Sequence, residues 1–150
     1  GCDVISDISG DGKETVYIAT DGNGVHFLSH KDRKVVRRFF HDVNDKEGIR
    51  SNSIYSLLVD DRGAVWVGHF QAGLDYSLYQ NGLFRTYAYP PQFNSANLSI
   101  RSFVNRGPEK VIGSRDGLFY INEATGIVKS FVKPVLTSDL ILTICFYEGE

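Results

Sequence analysis

The sequence predicts an all-β protein built from repeated four-stranded units, and two observations carry this prediction. The segment Ser51–Leu74 recurs in altered form as Val16–Val25 upstream and Lys110–Leu118 downstream, with aligned positions 49 and 45 residues apart. Repeats of roughly 40–50 residues that contain short strand-like runs are typical of propeller blades or solenoid units. The 15 glycines and the many Thr, Val, Ile, Tyr and Phe residues favour strands and turns over helices.

Composition limits the classes of function. The chain has 150 residues, of which 42% are hydrophobic and 23% charged, as in soluble globular domains. A net charge of −2 argues against a nucleic-acid partner, which usually requires a basic surface. No apolar stretch approaches the roughly 20 residues of a membrane span, and no signal peptide is recognised. Because the chain begins Gly-Cys-Asp, we interpret it as a piece of a longer protein.

The second copy divides into four strand candidates. They are Ile54–Val59, Ala64–Gly68, Leu74–Tyr79 and Leu83–Tyr89, and the turns between them are rich in Asp, Asn and Gly, which favour tight hairpins. Four antiparallel strands per unit predict a partial β-propeller of about three blades, plus the first strand of a fourth. The first strand of each blade is predicted to be innermost. The predicted blades cover residues 3–40, 51–89 and 98–132, and the fourth begins at 139–150.

The second copy also carries a consensus, with Ser51-Asn52-x-Ile54 followed by Asp60-x-x-Gly63-x-x-Trp66-Val67-Gly68 and by Gly73-Leu74. This pattern resembles the two-component-regulator propeller repeat. The resemblance implies a periplasmic segment of a hybrid two-component sensor of Bacteroides-type bacteria, which recognises an oligosaccharide and signals to a histidine kinase outside this chain. The fragment itself would be no enzyme. Its other partners would be the remaining blades of the receptor, which usually works as a dimer.

Several consensus residues are interpreted as structural. Asp60 can accept hydrogen bonds from the hairpin backbone, Gly63 and Gly73 suit turn conformations, and Trp66 can pack between blades. Tyr17 occupies the position of Trp66 one blade earlier. We therefore favour structural roles over a binding signature for this set.

Metal and cofactor sites are not predicted. The four histidines show no ligand spacing, and no phosphate-binding loop, dinucleotide fingerprint or nucleophile elbow is present. Cys2 and Cys145 form neither a CxxC pair nor a disulfide framework. A disulfide between them is a minor alternative.

The sequence departs from its own consensus at His69-Phe70-Gln71, where the first copy has Thr20-Asp21-Gly22. An aromatic ring beside hydrogen-bonding side chains suits a sugar, because the ring stacks on the pyranose face. An equally good alternative is that Phe70 packs on the adjacent blade. The predicted ligand-binding residues are His69, Phe70 and Gln71, with Asp21, Asn23, Arg115 and Asp116 as weaker companions.

Two other functions remain open. A propeller lyase or glycan-processing enzyme would need converging acid–base groups, and the innermost strands supply little beyond Asp7 and Arg101. A protein-interaction scaffold would usually carry a Gly-His…Trp-Asp signature, which is absent. We also expect a homo-oligomer, since the faces of the end blades and the apolar strand candidate Ile141–Tyr147 lack neighbours. That strand would pair with another chain, swap between protomers or fold back on the third blade.

Overall fold

The computed structural model describes residues 4–78, 83–87, 98–126, 128–131 and 134–147. Within these ranges, twelve strands form three four-stranded antiparallel sheets in which sequential strands are neighbours. The first sheet contains β1 (Val4–Gly10), β2 (Thr15–Asp21), β3 (Val25–Ser29) and β4 (Lys34–Phe39); the second contains β5 (Ile54–Val59), β6 (Val65–His69), β7 (Leu74–Ser77) and β8 (Arg85–Thr86); the third contains β9 (Ile100–Arg106), β10 (Glu109–Ser114), β11 (Gly117–Asn122) and β12 (Val128–Phe131).

The first strands of successive sheets are neighbours in space. Ser6 Oγ donates to the Ile54 carbonyl at 2.6 Å, and Ser56 Oγ donates to the Ile100 carbonyl at 3.0 Å. These bonds link β1 to β5 and β5 to β9, so the three sheets are arranged around their first strands as propeller blades are. The predicted all-β propeller fold is confirmed, and we refer to the sheets as blades 1, 2 and 3.

The hairpin between β5 and β6 shows why the local sequence folds as it does. Asp60 Oδ1 accepts from the backbone N–H groups of Arg62 at 3.0 Å and Ala64 at 2.9 Å. Gly63 has φ of 79°, in the left-handed region that favours glycine. Trp66 Nε1 donates to Asp60 Oδ2 at 3.3 Å. The Asp and Gly residues therefore close the turn, and Asp60 also orients the indole.

Two apolar layers hold the blades together. Between blades 1 and 2, Tyr17 and Phe27 of blade 1, whose ring centroids are 4.7 Å apart, share one buried cluster with Ile54 and Val65 of blade 2. Between blades 2 and 3, Trp66 is 1% exposed and stacks on Tyr76 with centroids 5.2 Å apart. The second layer also contains Ala64, Leu74, Leu98, Ile100, Ile112, Phe119 and Ile121.

A buried cation adds a polar connection between blades 2 and 3. Lys110 Nζ lies 2.9 Å from Glu123 Oε1 and 3.5 Å from Asp60 Oδ2, and it donates to the Gly107 carbonyl at 2.8 Å. Burial lowers the pKa of Lys110, and the charge and hydrogen bond of Asp60 oppose that shift. Lys110 occupies the position of buried Val65 in blade 2, so blade 3 replaces an apolar contact with an ion network.

The predicted start of a fourth unit lies against blade 3. Ile141 N donates to the Ser114 carbonyl at 2.8 Å, and the Arg106 guanidinium lies 5.2 Å from the centre of the Phe146 ring. A Cβ at Gly113 would lie 2.7 Å from Ile141 Cγ2, so glycine permits this close approach. Residues 134–147 form no ladder with the described part of the chain.

Some predictions fall outside the described residues. These are Cys2, the connection at 90–97 and the ends of the predicted strands at 79, 88–89, 127 and 132. Cys145 is an exposed free thiol. The described residues include no helix that is long and apolar enough to cross a membrane.

Candidate functional site

Three turns form a continuous surface at one end of the blades, which we call the turn face. They follow β2, β6 and β10, and they contain residues 21–24, 70–73 and 115–116. Backbone bonds connect each turn to a segment that leads into an inner strand: Gly24 N donates to the Asn52 carbonyl at 3.0 Å, and Gly73 N donates to the Leu98 carbonyl at 2.8 Å. Arg115 N similarly bonds to the Ser99 carbonyl at 3.1 Å.

Phe70 and Gln71 project from the middle turn. Phe70 is 38% exposed, and its ring lies 5.0 Å from the ring of Tyr55 at an angle of 37°. Gln71 is exposed and has φ of 55°, an uncommon backbone conformation for a non-glycine residue. Gln71 N donates to Ser99 Oγ at 3.2 Å, which ties the turn to blade 3. The turn is thus anchored by its backbone while both side chains remain accessible.

His69 does not share this exposure. Its side chain is fully buried, and Nε2 donates to Asp75 Oδ2 at 2.8 Å, while Nδ1 has no hydrogen-bond partner in the described part of the chain. The imidazole therefore lies beneath the turn face and contacts the third strand of blade 2. Any contribution of His69 to ligand binding would be made by positioning the turn.

Asp75 is the centre of a buried network. Its carboxylate accepts from Arg50 Nε at 2.8 Å, from Arg50 N at 3.0 Å and from Thr86 Oγ1 at 3.2 Å. Burial alone would raise the pKa of Asp75, but the hydrogen bond and charge of His69 and the charge of Arg50 outweigh it and lower the pKa. Arg50 ends the polar connection between blades 1 and 2, so the network fixes that connection to the blade beneath Phe70.

The weaker companions lie on the two flanking turns. Asp21, Arg115 and Asp116 are exposed, and Asn23 is half-buried. The Asp21 backbone pairs with Ser53, which also accepts from Phe70 N at 3.0 Å through its carbonyl. The structure therefore places these predicted residues on the same face as Phe70, on consecutive turns.

Sequence reasoning did not identify Tyr55, Asp75 or Arg50 as parts of this region. Tyr55 lies in an inner strand, and its contact with Phe70 results from the pairing of β5 with β6. Asp75 and Arg50 are 25 residues apart, and no local motif connects them. An acidic residue between apolar Leu74 and aromatic Tyr76 was the available signal for a buried polar network.

A second concavity opens at the other end of blades 2 and 3. It has a volume of about 430 Å³ and is lined by Trp66, Tyr76, Tyr87, Arg62 and Glu123 among others. Its two charged side chains, Arg62 and Glu123, form an ion pair with each other. Trp66 is buried, so its indole face is occupied by protein. Among the described residues, no cluster of three or more His, Cys, Asp or Glu side chains could hold a metal ion.

Solved structures define the class of protein as a β-propeller. The extracellular domain of the putative hybrid two component system BT3049 from B. thetaiotaomicron superposes with a TM-score of 0.73 at 23% identity, over 91% of this chain and 17% of that one. The corresponding domain of BT4673 from the same organism gives 0.68 at 23% identity, over 84% and 16%. The computationally designed Ika4 protein gives 0.69 at 15% identity, over 99% and 82%.

The particular repeat is then identified by sequence. Residues 48–71 match the family described as two component regulator propeller, which confirms the predicted resemblance. The matched segment contains the β5–β6 hairpin, Trp66 and Phe70. No curated protein matches this chain. The chain spans about a sixth of the length of the two B. thetaiotaomicron domains.

Proposed function

We propose that this chain is a ligand-sensing segment of an extracytoplasmic sensor of the two-component type, and that its turn face binds an oligosaccharide. The repeat match at residues 48–71 and the propeller fold shared with two sensor domains support the class. The signal would pass to a kinase elsewhere in the protein, through a shift between receptor states that the ligand binds unequally. The receptor would be periplasmic and would work as a homo-oligomer.

The exposed Phe70 ring is the observation that carries the site. It lies on a turn with fixed backbone and is supported from below by Tyr55. A rigid aromatic surface flanked by amide and carboxylate groups offers both stacking and hydrogen bonds to a sugar. These polar groups are the amide of Gln71 on the middle turn and the carboxylates of Asp21 and Asp116 on the flanking turns.

The enzyme alternative has less support from the geometry. Asp7 Oδ2 accepts from Leu57 N at 2.8 Å, and Oδ1 accepts from Ile8 N at 2.8 Å. Burial raises the pKa of Asp7, and these two hydrogen bonds oppose the shift. One carboxylate oxygen thus connects β1 to β5 and the other bonds within β1, which favours a structural role. We propose binding without turnover of the glycan.

Screening the full-length protein on an oligosaccharide array, followed by calorimetry with the best binder, tests this function. Phe70→Ala with Gln71→Ala should weaken binding at least tenfold, since a stacked ring and a hydrogen bond are lost. Phe131→Ala is the matched control, because Phe131 has the same 38% exposure but lies in the outer strand of blade 3. Equal affinity of the double variant and the control would place the site elsewhere, and hydrolysis of the bound glycan would contradict a pure sensor.

A further inference from the structure

Each inner strand contains a bulge at its second or third residue. The pairing register skips Ser6 between Ile5 and Asp7 in blade 1, and it skips Tyr55 between Ile54 and Ser56 in blade 2. In blade 3 the partner of Gly113 is Ser102 and the partner of Ser114 is Ile100, so Arg101 is skipped. Bulges redirect the extra side chain and are frequent beside binding sites. Three neighbouring blades thus present Ser6, Tyr55 and Arg101 from equivalent positions.

Among the described residues, Arg101 has no ionic partner. Its guanidinium carbon lies 5.0 Å from the centre of the Tyr55 ring, a cation–π contact. Its Nε is buried and has no hydrogen-bond partner in the ranges that the structure describes. Within the described part of the chain, no carboxylate lies within 4.0 Å of this guanidinium. Buried donor groups are normally hydrogen-bonded, so this unpaired Nε on a half-buried side chain marks a position where an external acceptor would be favourable.

Tyr55 joins this cation to the predicted ligand surface. One contact of its ring is with Arg101, and another is with Phe70 at 5.0 Å. The three side chains form a row from the inner strand of blade 3 to the exposed turn of blade 2. The exposed end of the row is an aromatic ring, and the other end is a guanidinium held against a ring that limits its rotation.

We propose that Arg101 binds the carboxylate or sulfate group of an acidic sugar whose ring contacts Phe70, so that the ligand of this site is an anionic oligosaccharide. This inference rests on the proposed function of the turn face and specifies its ligand class. Arg suits both groups, because its planar donors match two oxygens of a carboxylate or sulfate. Arg115, which is exposed on the adjacent turn, adds a second positive charge on the same face, which also carries the carboxylates of Asp21 and Asp116.

Three probes distinguish the ligand classes in calorimetry on the full-length protein: an oligogalacturonate, a chondroitin sulfate oligosaccharide and a neutral galactan oligosaccharide. Arg101→Gln should weaken binding of whichever acidic probe binds by at least about tenfold, since a charged hydrogen bond is lost. It should also reduce the salt dependence of that binding. Inorganic sulfate at millimolar concentration should compete weakly with the acidic probe in the wild type and not in the variant.

Arg106→Gln is the matched control, because it removes the same charge from the other end of β9, where the side chain is exposed. It should change affinity less than twofold. Binding of the neutral probe that depends on Phe70 but not on Arg101 would overturn the acidic-ligand inference and leave the sensor function intact. Failure of all three probes and of the array would overturn both. Acidic-probe binding that is equally affected by Arg101→Gln and Arg106→Gln would show general electrostatic attraction and contradict a defined site.

Discussion

Blades 1 and 3 share a feature that blade 2 lacks, a hydroxyl residue at the last buried position before the turn face. Thr20 Oγ1 donates to the Gly24 carbonyl at 2.8 Å, and Ser114 Oγ donates to the Gly117 carbonyl at 2.9 Å, so each hydroxyl closes its own turn. His69 occupies the aligned position in blade 2 and extends instead to Asp75. The residue at this repeat position therefore bonds within its own turn in blades 1 and 3. In blade 2 it joins a longer network.

This difference shows how a repeat can be modified without altering its strands. The His69–Asp75–Arg50 network fixes the connection between blades 1 and 2 to the middle blade, and it places a rigid support beneath Phe70. A short hydroxyl could not make this link because it does not extend across to the third strand. The departure from the consensus that suggested a surface site thus has two effects. His69 joins the buried network inside the blade, and Phe70, one residue later, is the accessible side chain.

The consensus aromatic of blade 2 should account for the largest effect on stability. Trp66→Ala should lower the free energy of unfolding by about 3–5 kcal/mol, because it removes a large buried ring and leaves a cavity. Urea denaturation followed by circular dichroism measures this loss. Leu78→Ala, at a 42% exposed position in the same blade, is the control and should change stability little. A loss below about 1 kcal/mol for Trp66→Ala would contradict its packing between blades.

Breaking the network in blade 2 should have the next largest effect. Asp75→Asn keeps the shape of the side chain but leaves buried His69 and half-buried Arg50 without their charged acceptor, so we expect a loss of about 3 kcal/mol. Asp116→Asn changes an exposed carboxylate on the corresponding turn of blade 3 and should cost under about 0.5 kcal/mol. Equal losses for the two variants would mean that the blade 2 network is no more important than a surface charge.

The contribution of Asp75 should also depend on pH. Its folded pKa is below the ordinary value of 3.8. A carboxylate with a lowered folded pKa stabilises the protein above its unfolded pKa, and this contribution is lost as the pH falls towards the folded value. The stability difference between the wild type and Asp75→Asn should therefore be constant from pH 7 to about 6 and shrink below about pH 5. A difference that is unchanged or larger at pH 3 would contradict the lowered pKa.

The sequence predicted the fold well because its signals are local. The Asp and Gly residues of the hairpins and the short apolar runs of strands such as β11 identify the elements without tertiary information. The bulges at Tyr55 and Arg101 could not be predicted, since a single extra residue leaves the repeat pattern almost unchanged. The burial of His69 was missed for a related reason: a polar residue at a strand end suits a surface site or a buried network equally well until its partner is known.

The smallest effects are expected in the two blades with local turns. In Thr20→Ala, the Gly24 carbonyl still accepts from Thr20 N at 3.0 Å, so only the net value of one hydrogen bond is lost, about 0.5–1.5 kcal/mol. Ser114→Ala should cost a similar amount, and because the two turns share no partners the losses should add in the double variant. His69→Ala, measured beside them by urea denaturation, should cost more than either, since it leaves buried Asp75 with one donor fewer. A ranking with His69→Ala lowest would show that the network in blade 2 adds nothing to a simple turn hydroxyl.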